Sequence, residues 1–423
     1  MVNPVVCFLA TCLLAAQADA PASDVPATVR KLVRQLDAPE KARRDEAEQK
    51  LLEVGSAALD ALPAPTDASA EVQLRLGRVR VRLETLRGEE EVRSREVTIA
   101  GKALPLPEVI AAIDKQTGNK LLDYRGQFGQ QAAAKTLDLE LEKTPFWSAL
   151  DQILDQAGMT IYQYSGEPGL SLVNRSGGEV PRYNRGVYAG AFRIEATDIT
   201  ARRDLRDANG QALKLQLDVA WEPRLVPIAI TQAGDAITAI GDTGGTLAAA
   251  PNTELESTVN PGEASVQVPL TFSLPPRAMT KIASLKGNLD VILPGPIETF
   301  RFEKLKAGAK AEERRAGVKV ILDQVRQNNL VWEVRVRVAF DNPGKALESH
   351  RTWVLHNEAY LETAAKDKIN SAGLETTRQS ENEVGVAYLF DVEEITDHTF
   401  VYKTPAVLLD VAVPYELHDI ALP

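Results

Sequence analysis

The chain has 423 residues, 59 Asp and Glu against 48 Lys and Arg, and a formal net charge of −11. That balance lacks the basic footprint on which nucleic-acid binding depends, and it argues against a nucleic-acid partner. The length predicts two or three domains, more if the modules are small, in an acidic soluble protein.

Val5 to Ala16 is an apolar run of about a dozen residues, shorter than the roughly 20 that a membrane-spanning helix needs and matched to the core of an export signal. Ala16-Gln17-Ala18 predicts cleavage before Asp19, with residues 1–18 as signal peptide. Ala18-Asp19-Ala20 offers a second site before Pro21, where proline after the scissile bond is unfavourable. Met1 to Pro4 carries no Lys or Arg, unlike the usual start of a signal. Leu9-Ala10-Thr11-Cys12 loosely resembles a lipidation box, with threonine where glycine, alanine or serine is usual. Cys7 and Cys12 are the only cysteines, so cleavage at either site leaves a thiol-free chain without disulfides or cysteine–metal chemistry. The expected location is the periplasm or cell surface. No later stretch offers about 18 uninterrupted apolar residues, and no integral membrane helix is expected in the mature chain.

Residues 24–90 read as helical. Val29, Leu32, Val33 and Leu36 share a face that Asp37-Ala38-Pro39 punctuates; Ala42, Ala47, Leu51 and Val54 continue on a second helix closed by Gly55. Val72, Leu76, Val79, Leu83 and Leu86 recur at steps of four and three on a third. The helix pair with its glycine and Ser56-Ala57-Ala58-Leu59 resembles HEAT-like units, which bury their faces against neighbours; the last stripe also fits a coiled coil. Arg75, Arg78 and Arg82 fall along another side, as an anionic docking surface or as a solvated face.

Residues 96–176 carry a strand, helix and strand pattern written twice. Glu96 to Ala100 is extended, Pro107 opens a helix with Val109, Ile110 and Ile113 on its apolar face, and Gly118 stops it. Leu137, Leu139 and Leu141 then alternate with charges as a one-sided strand. Thr144 and Pro145 open a helix carrying Phe146, Leu150, Ile153, Leu154 and Ala157; Gly158 closes it, and Met159 to Tyr164 and Leu170 to Val173 supply strands. Leu104-Pro105-Leu106-Pro107-Glu108-Val109-Ile110, Gln116-Thr117-Gly118, and Lys143-Thr144-Pro145 leading through Leu150 and Leu154 to Gly158-Met159-Thr160 resemble the short N-terminal domain shared by secretins and TonB-dependent transducers. The resemblance implies a docking module for other proteins. No barrel-sized set of outer-membrane strands follows it.

From Gly177 to Pro423 strands and turns dominate. Leu213, Leu215, Leu217, Val219 and Trp221 alternate with Lys214, Gln216, Asp218 and Ala220, and Trp332, Val334, Val336, Val338 and Phe340 alternate with Glu333, Arg335, Arg337 and Ala339. Leu289-Asp290-Val291-Ile292-Leu293-Pro294 echoes Leu409-Asp410-Val411-Ala412-Val413-Pro414. Two landmarks in one order predict a tandem duplication, with β-sandwiches over 187–303 and 316–423 that resemble immunoglobulin-like modules and a charged, alanine-rich linker from Lys304 to Ala316. Trp221 and Phe340 are expected at equivalent buried positions. The fold class is therefore multidomain α+β: a short HEAT-like region, a βαββαβ-type small domain, then two tandem antiparallel β-sandwiches, each module with its own core. The whole resembles a group of uncharacterised secreted bacterial multidomain proteins, a likeness that implies architecture and carries no activity.

Chemistry-bearing motifs are sparse. Asp242-Thr243-Gly244 matches the triplet of aspartic proteases, but Gly241 stands where an apolar residue precedes it, Gly245 follows, and no second triplet exists to share a proton; a glycine-rich turn is expected. His350 and His356 flank Trp353, and in a strand they stand about 20 Å apart, too far to share a metal. His398 and His418 have no ligand pattern around them. There is no G-x-S-x-G elbow, H-E-x-x-H or P-loop. Asn174-Arg175-Ser176 fits a glycosylation sequon and is expected to end a strand. Of the four tryptophans, Trp221 and Trp332 fall on apolar strand faces and predict core packing, Trp147 is expected half exposed on its helix, and the pattern leaves Trp353 unexplained.

No catalytic, cofactor-binding or metal-ligating residue and no cofactor is assigned. The expectation is a non-catalytic extracytoplasmic interaction or scaffold protein that docks a protein partner through the secretin-like module. A glycan or cell-wall binder is the first alternative, which a contiguous exposed aromatic row favours. A hydrolase with an unrecognised site is the second, which carboxylates clustered in a deep pocket favour.

Overall fold

The computed structural model describes residues 24–63, 69–130, 135–207, 210–250, 254–260, 262–315, 317–341, 343–348 and 351–423. The expected signal over 1–18, Cys7, Cys12 and His350 lie outside the described residues. The fold is mixed α and β with strand predominating and antiparallel pairing the rule. The chain forms two compact units that meet in sequence between Leu83 and Glu84.

In the first unit α1 (Val25–Gln35), α2 (Lys41–Glu53) and a 3-10 turn (Ser56–Ala61) precede α3 (Ala70–Glu91), whose last residues belong to the second unit. The Asp24 carboxylate accepts the Ala27 N–H at 3.0 Å, satisfying a donor that the start of α1 leaves open. Val29, Leu32 and Leu36, Ala47 and Leu51, and Val72, Leu76, Val79 and Leu83 are buried, as a helical stripe requires. Arg75 is neither open cation nor solvated side chain: 5% exposed, it pairs with Glu48 and Glu71 at 2.7 Å each and with Asp45 at 2.9 Å. Arg78 pairs with Glu48 at 2.9 Å. The acids of α2, four-fifths of a turn apart at 45 and 48, neutralise the arginines that α3 turns toward them.

The second unit begins with β1 (Glu96–Pro105), α4 (Leu106–Thr117), β2 (Leu121–Asp123), β3 (Thr136–Pro145), α5 (Phe146–Ala157), β4 (Met159–Tyr162) and β5 (Leu170–Asn174). β1 and β3 form an antiparallel ribbon; β2, β5 and β4 form a sheet in that order, with β2 parallel to β5. Gly118 and Gly158 end α4 and α5 in the left-handed conformation, at φ +71° and +64°, which a side chain would strain. Leu137, Leu139 and Leu141 share one core with Val109 and Ile113 of α4 and Leu150, Ile153 and Leu154 of α5. Trp147 is not half exposed. It is fully buried, and its Nε1 donates to the Ala191 carbonyl at 3.0 Å, because the chain after residue 186 covers the flank of α5 that the apolar stripe does not.

Strands β6 (Val187–Ala189), β7 (Phe192–Arg202), β8 (Ala212–Trp221), β9 (Ala229–Ala233), β10 (Thr238–Gly241), β11 (Thr246–Leu247), β12 (Glu254–Thr258), β13 (Ser265–Phe272), β14 (Lys281–Pro294) and β15 (Ile297–Phe302) follow. Then come β16 (Ala311–Arg315), β17 (Val318–Asn328), β18 (Val331–Phe340), β19 (Ala359–Glu362), β20 (Lys368–Asn370), β21 (Gly373–Gln379), β22 (Glu383–Phe390), β23 (Thr399–Pro405) and β24 (Leu408–Ala421). One sheet runs β6-β7-β8-β13, and a later one runs β16-β17-β18-β22-β21, so the two share the same four-strand order. Trp221 ends β8 and Phe340 ends β18, 1% and 4% exposed. Ala311 to Arg315, expected inside a linker, is the edge strand β16; its charged residues sit exposed save the half-buried Glu313, a composition that protects a sheet edge from foreign pairing.

The remaining sheets exchange strands along the chain. β14 pairs with β10 and β9 on one edge and with β24 along the other, giving β24-β14-β9-β12. Its counterpart runs β15-β23-β19-β20. The two L-D-V stretches are therefore not counterparts. They are antiparallel neighbours, with Val291 opposite Val411, and β14 corresponds in sheet position to β23. Both stretches alternate because both line a sheet, and a period of two does not distinguish a neighbour from a repeat.

Two buried polar nodes bind the 96–176 segment to the first of these sheets. Asp151 of α5, 2% exposed, accepts Arg193 Nε at 2.8 Å and Tyr188 Oη at 2.9 Å, and Arg193 Nη2 reaches Glu195 at 2.7 Å. Glu222, fully buried beyond β8, accepts Ser94 Oγ at 3.0 Å, Arg95 N at 2.9 Å, Asn119 Nδ2 at 2.9 Å and Arg224 Nε at 2.8 Å. Buried charge is retained only where donors surround it in this way.

Candidate functional site

Alternation in β4 sends Met159 and Ile161 to the core and Thr160 and Tyr162 to the opposite face, and Tyr164 continues that face beyond the strand. The 3-10 turn Arg125–Phe128 brings Tyr124 and Phe128 beside them. Arg125 anchors the turn, buried and held by Asp123 at 2.7 and 2.8 Å, and this arginine keeps the Asp123 carboxyl below its usual range. Tyr124 stacks on Tyr162 with centroids 6.0 Å apart; Phe128 and Tyr164 meet Tyr162 edge-on at 5.0 and 5.8 Å. Tyr164 is 82% exposed and Phe128 50%.

Two exposed rings packed on two half-buried ones are unusual, because aromatic area is the largest apolar contribution a side chain makes to a core. Phe128, Tyr162 and Tyr164 border a groove of about 450 Å³ that also receives Gln130, Asn174, Glu179 and Arg182. Arg182 is committed to Glu195 at 2.8 Å, and Gln130 Oε1 accepts the Asn174 N–H at 2.8 Å. Among the described residues no hydrogen bond engages the Asn174 side-chain amide or Gln130 Nε2. Asn174 is the last residue of β5, at a strand end.

A second cavity, of about 760 Å³, opens beside the ends of β14 and β24. Leu225 to Ile228, Leu293 to Ile297, Pro405, Leu409 and Trp353 form its walls. Trp353, unexplained by the sequence pattern, packs edge-on to Phe340 at 5.7 Å and donates its Nε1 to the Ala346 carbonyl at 2.7 Å. Val226 and Ile297 stand exposed at the rim.

The sequence motifs fall elsewhere. Asp242-Thr243-Gly244 is the turn between β10 and β11, with Gly244 at φ +78°, and the Asp242 carboxylate accepts the Thr280 N–H at 3.2 Å. The Thr280 hydroxyl also donates to it, and these bonds hold that carboxyl below its usual range. His356 lies in the 3-10 turn Trp353–His356 at the rim of the larger cavity. His418 is exposed on β24, 3.7 Å from Glu416, and His398 Nδ1 is buried without a hydrogen bond among the described residues. Trp221 and Trp332 are buried as their strand faces require. Among the described residues no three or more His, Cys, Asp and Glu side chains are grouped to hold a metal ion, and no helix is long and apolar enough to cross a membrane.

The tyrosine cluster was not singled out from the sequence. Its signal was Thr160, Tyr162 and Tyr164 at alternate positions opposite the core-facing Met159 and Ile161; Tyr124 and Phe128 carried none, since only the fold brings their turn to β4.

No protein-family model matches the chain, and no curated protein does. Among solved structures the chain is similar to a conserved domain protein from Bacillus anthracis, with a TM-score of 0.18 and 9% sequence identity over 56% of this chain and 89% of that one. A TM-score at this level establishes neither a shared fold nor a shared function.

Proposed function

We propose that the protein is a non-catalytic extracytoplasmic interaction protein that docks a protein partner through the 96–176 module, with the Tyr124, Phe128, Tyr162 and Tyr164 surface as the contact. The observation that carries the reading is the exposure of Phe128 and Tyr164, packed edge-on against the half-buried Tyr162 beside a groove. Tyrosine combines a broad apolar face with a hydroxyl and loses little side-chain freedom on binding, which makes it a frequent anchor at interfaces. The resemblance of this module to the secretin and TonB short N-terminal domain supports a docking role, and the export signal read in residues 1–18 supports a location outside the cytoplasm. In this reading the β6–β24 region consists of two duplicated immunoglobulin-like sandwiches, supported by the shared four-strand order and by the burial of Trp221 and Phe340. The helices before Leu83 form a HEAT-like unit.

Photo-crosslinking in intact cells tests the proposal. A crosslinker at Tyr164 is expected to capture one protein that a crosslinker at the equally exposed Leu330 does not, and Tyr162→Ser is expected to abolish the adduct. Identical capture from both positions refutes it.

A glycan or cell-wall ligand is the second reading, favoured by the unengaged Asn174 and Gln130 amides beside exposed ring faces. Polysaccharide retention that Tyr164→Ala abolishes, without any protein adduct, decides for it.

A further inference from the structure

The cavity beside β14 and β24 has walls that say what it takes. Pro227, Pro294, Pro296 and Pro405 line it and have no N–H to offer, so much of its backbone surface lacks donors. Its polar side chains other than His356 are engaged, Glu91 with Arg224 at 3.4 Å among them. Arg224 donates to Glu222, to the Glu91 carbonyl at 2.9 Å and to the Arg93 carbonyl at 2.7 Å. Asn260 Nδ2 reaches Glu263 at 3.0 Å, Asn357 Nδ2 reaches Tyr402 Oη at 2.8 Å and Thr404 Oγ1 at 3.0 Å, and the Trp353 N–H is taken by Ala346. His356, exposed at the rim, makes no hydrogen bond among the described residues. The volume lies inside the roughly 300–1,000 Å³ range of small-molecule sites.

We infer that this cavity binds a single-chain amphiphile free in solution, its alkyl chain against Leu225, Ile228, Leu293 and Leu409 and its one oxygen-bearing head beside His356. A highly charged or multiply hydroxylated ligand is disfavoured because, among the described residues, His356 at the rim is the one polar lining side chain without a hydrogen bond or ion pair, and burying further polar groups unpaired is costly. Val226 and Ile297, 61% and 58% exposed, are apolar side chains held in water at the mouth, where an entering chain covers them. The site is separate from the aromatic groove and does not depend on the docking reading.

Titration of the full chain with dodecanoate and with dodecanol, each below its micelle concentration, tests the inference by calorimetry and tryptophan fluorescence. Saturable binding of one molecule per chain is expected for both probes. Trp353→Phe is expected to remove the fluorescence change while calorimetric binding persists. The double variant V226D/I297D changes only rim positions already in water, so it is expected to fold as the parent and to bind both probes at least about tenfold more weakly. His356→Leu is expected to weaken dodecanoate more than dodecanol. Failure of both probes to saturate, or binding that V226D/I297D leaves unchanged, overturns the proposal. So does sedimentation with phosphatidylethanolamine vesicles without binding of either free probe.

Discussion

Replacing Arg193 by Met removes a guanidinium that touches both Asp151 and Glu195 while roughly preserving the length of its apolar stem. The side chain is 1% exposed, and Asp151 is 2% exposed. In the variant Asp151 keeps the Tyr188 hydroxyl at 2.9 Å but loses its direct ion pair, and Glu195 keeps Arg182 at 2.8 Å. Removing one partner of a buried pair costs about 3–5 kcal/mol, most of it from the stranded charge. Burial already raises the Asp151 carboxyl above its usual value against the pull of Arg193, and without the arginine it rises further. A carboxyl whose folded pKa lies above its unfolded value stabilises the fold below both values and loses that contribution as pH rises through the window between them. The penalty of Arg193→Met is therefore expected to be smaller near about pH 4 than near about pH 7. Asp151→Asn in the same chain is expected to recover part of it, since an amide can be buried with only its hydrogen bonds to satisfy. Urea denaturation of parent, single and double variants at both pH values measures this. A loss under about 1 kcal/mol, or a penalty that does not grow with pH, refutes the reasoning, because it means the node is hydrated or rearranges at little cost.

Leu150→Asp puts a carboxylate into the core of the 96–176 segment at a position 1% exposed, and the expected loss of several kcal/mol should unfold that segment; calorimetry reads whether the sheet tied to it through Asp151 and Glu222 melts in the same transition, as the shared nodes predict. Gly287→Ala and Gly241→Ala are expected to differ: a Cβ at Gly287 lies 2.3 Å from Tyr415 Oη, whose buried ring is pinned by a 2.8 Å bond to Gln232, whereas at Gly241 it meets the unbranched, flexible Met279 side chain from Cγ to Cε. Thermal denaturation should show the Gly287 variant losing at least about 1 kcal/mol more, within the usual range for overpacking. Truncation after Val407 removes β24 and is expected to expose amides of β9, β10 and β14 to hydrogen exchange while β17, β18 and β22 stay protected. Protection lost first in the latter strands contradicts the strand exchange.

Periodicity in the sequence alone determined the elements. The 3.6-residue stripes of α1 to α5 and the two-residue alternations of β3, β8 and β18 are local consequences of which side must face a core, and glycine at 118 and 158 marks ends that only a left-handed residue closes. The same reasoning marked Trp221 and Phe340 as buried, because each continues the apolar face of its own strand. Tertiary structure decided which surfaces meet. Trp147 lay off its helix stripe, and only the later strand segment around Ala191 covers it. β24 repeats the pattern of β14 yet stands beside it, since alternation specifies a face and leaves the neighbour open. Asp151, Arg193, Asn119 and Glu222 read in sequence as isolated polar residues; their pairing spans up to 128 positions from Ser94 to Glu222. The tyrosine groove and the apolar cavity belong to the same class. Each is built from turns and strand ends that carry no periodic signal of their own, and each exists only where the packed core fixes those ends against one another.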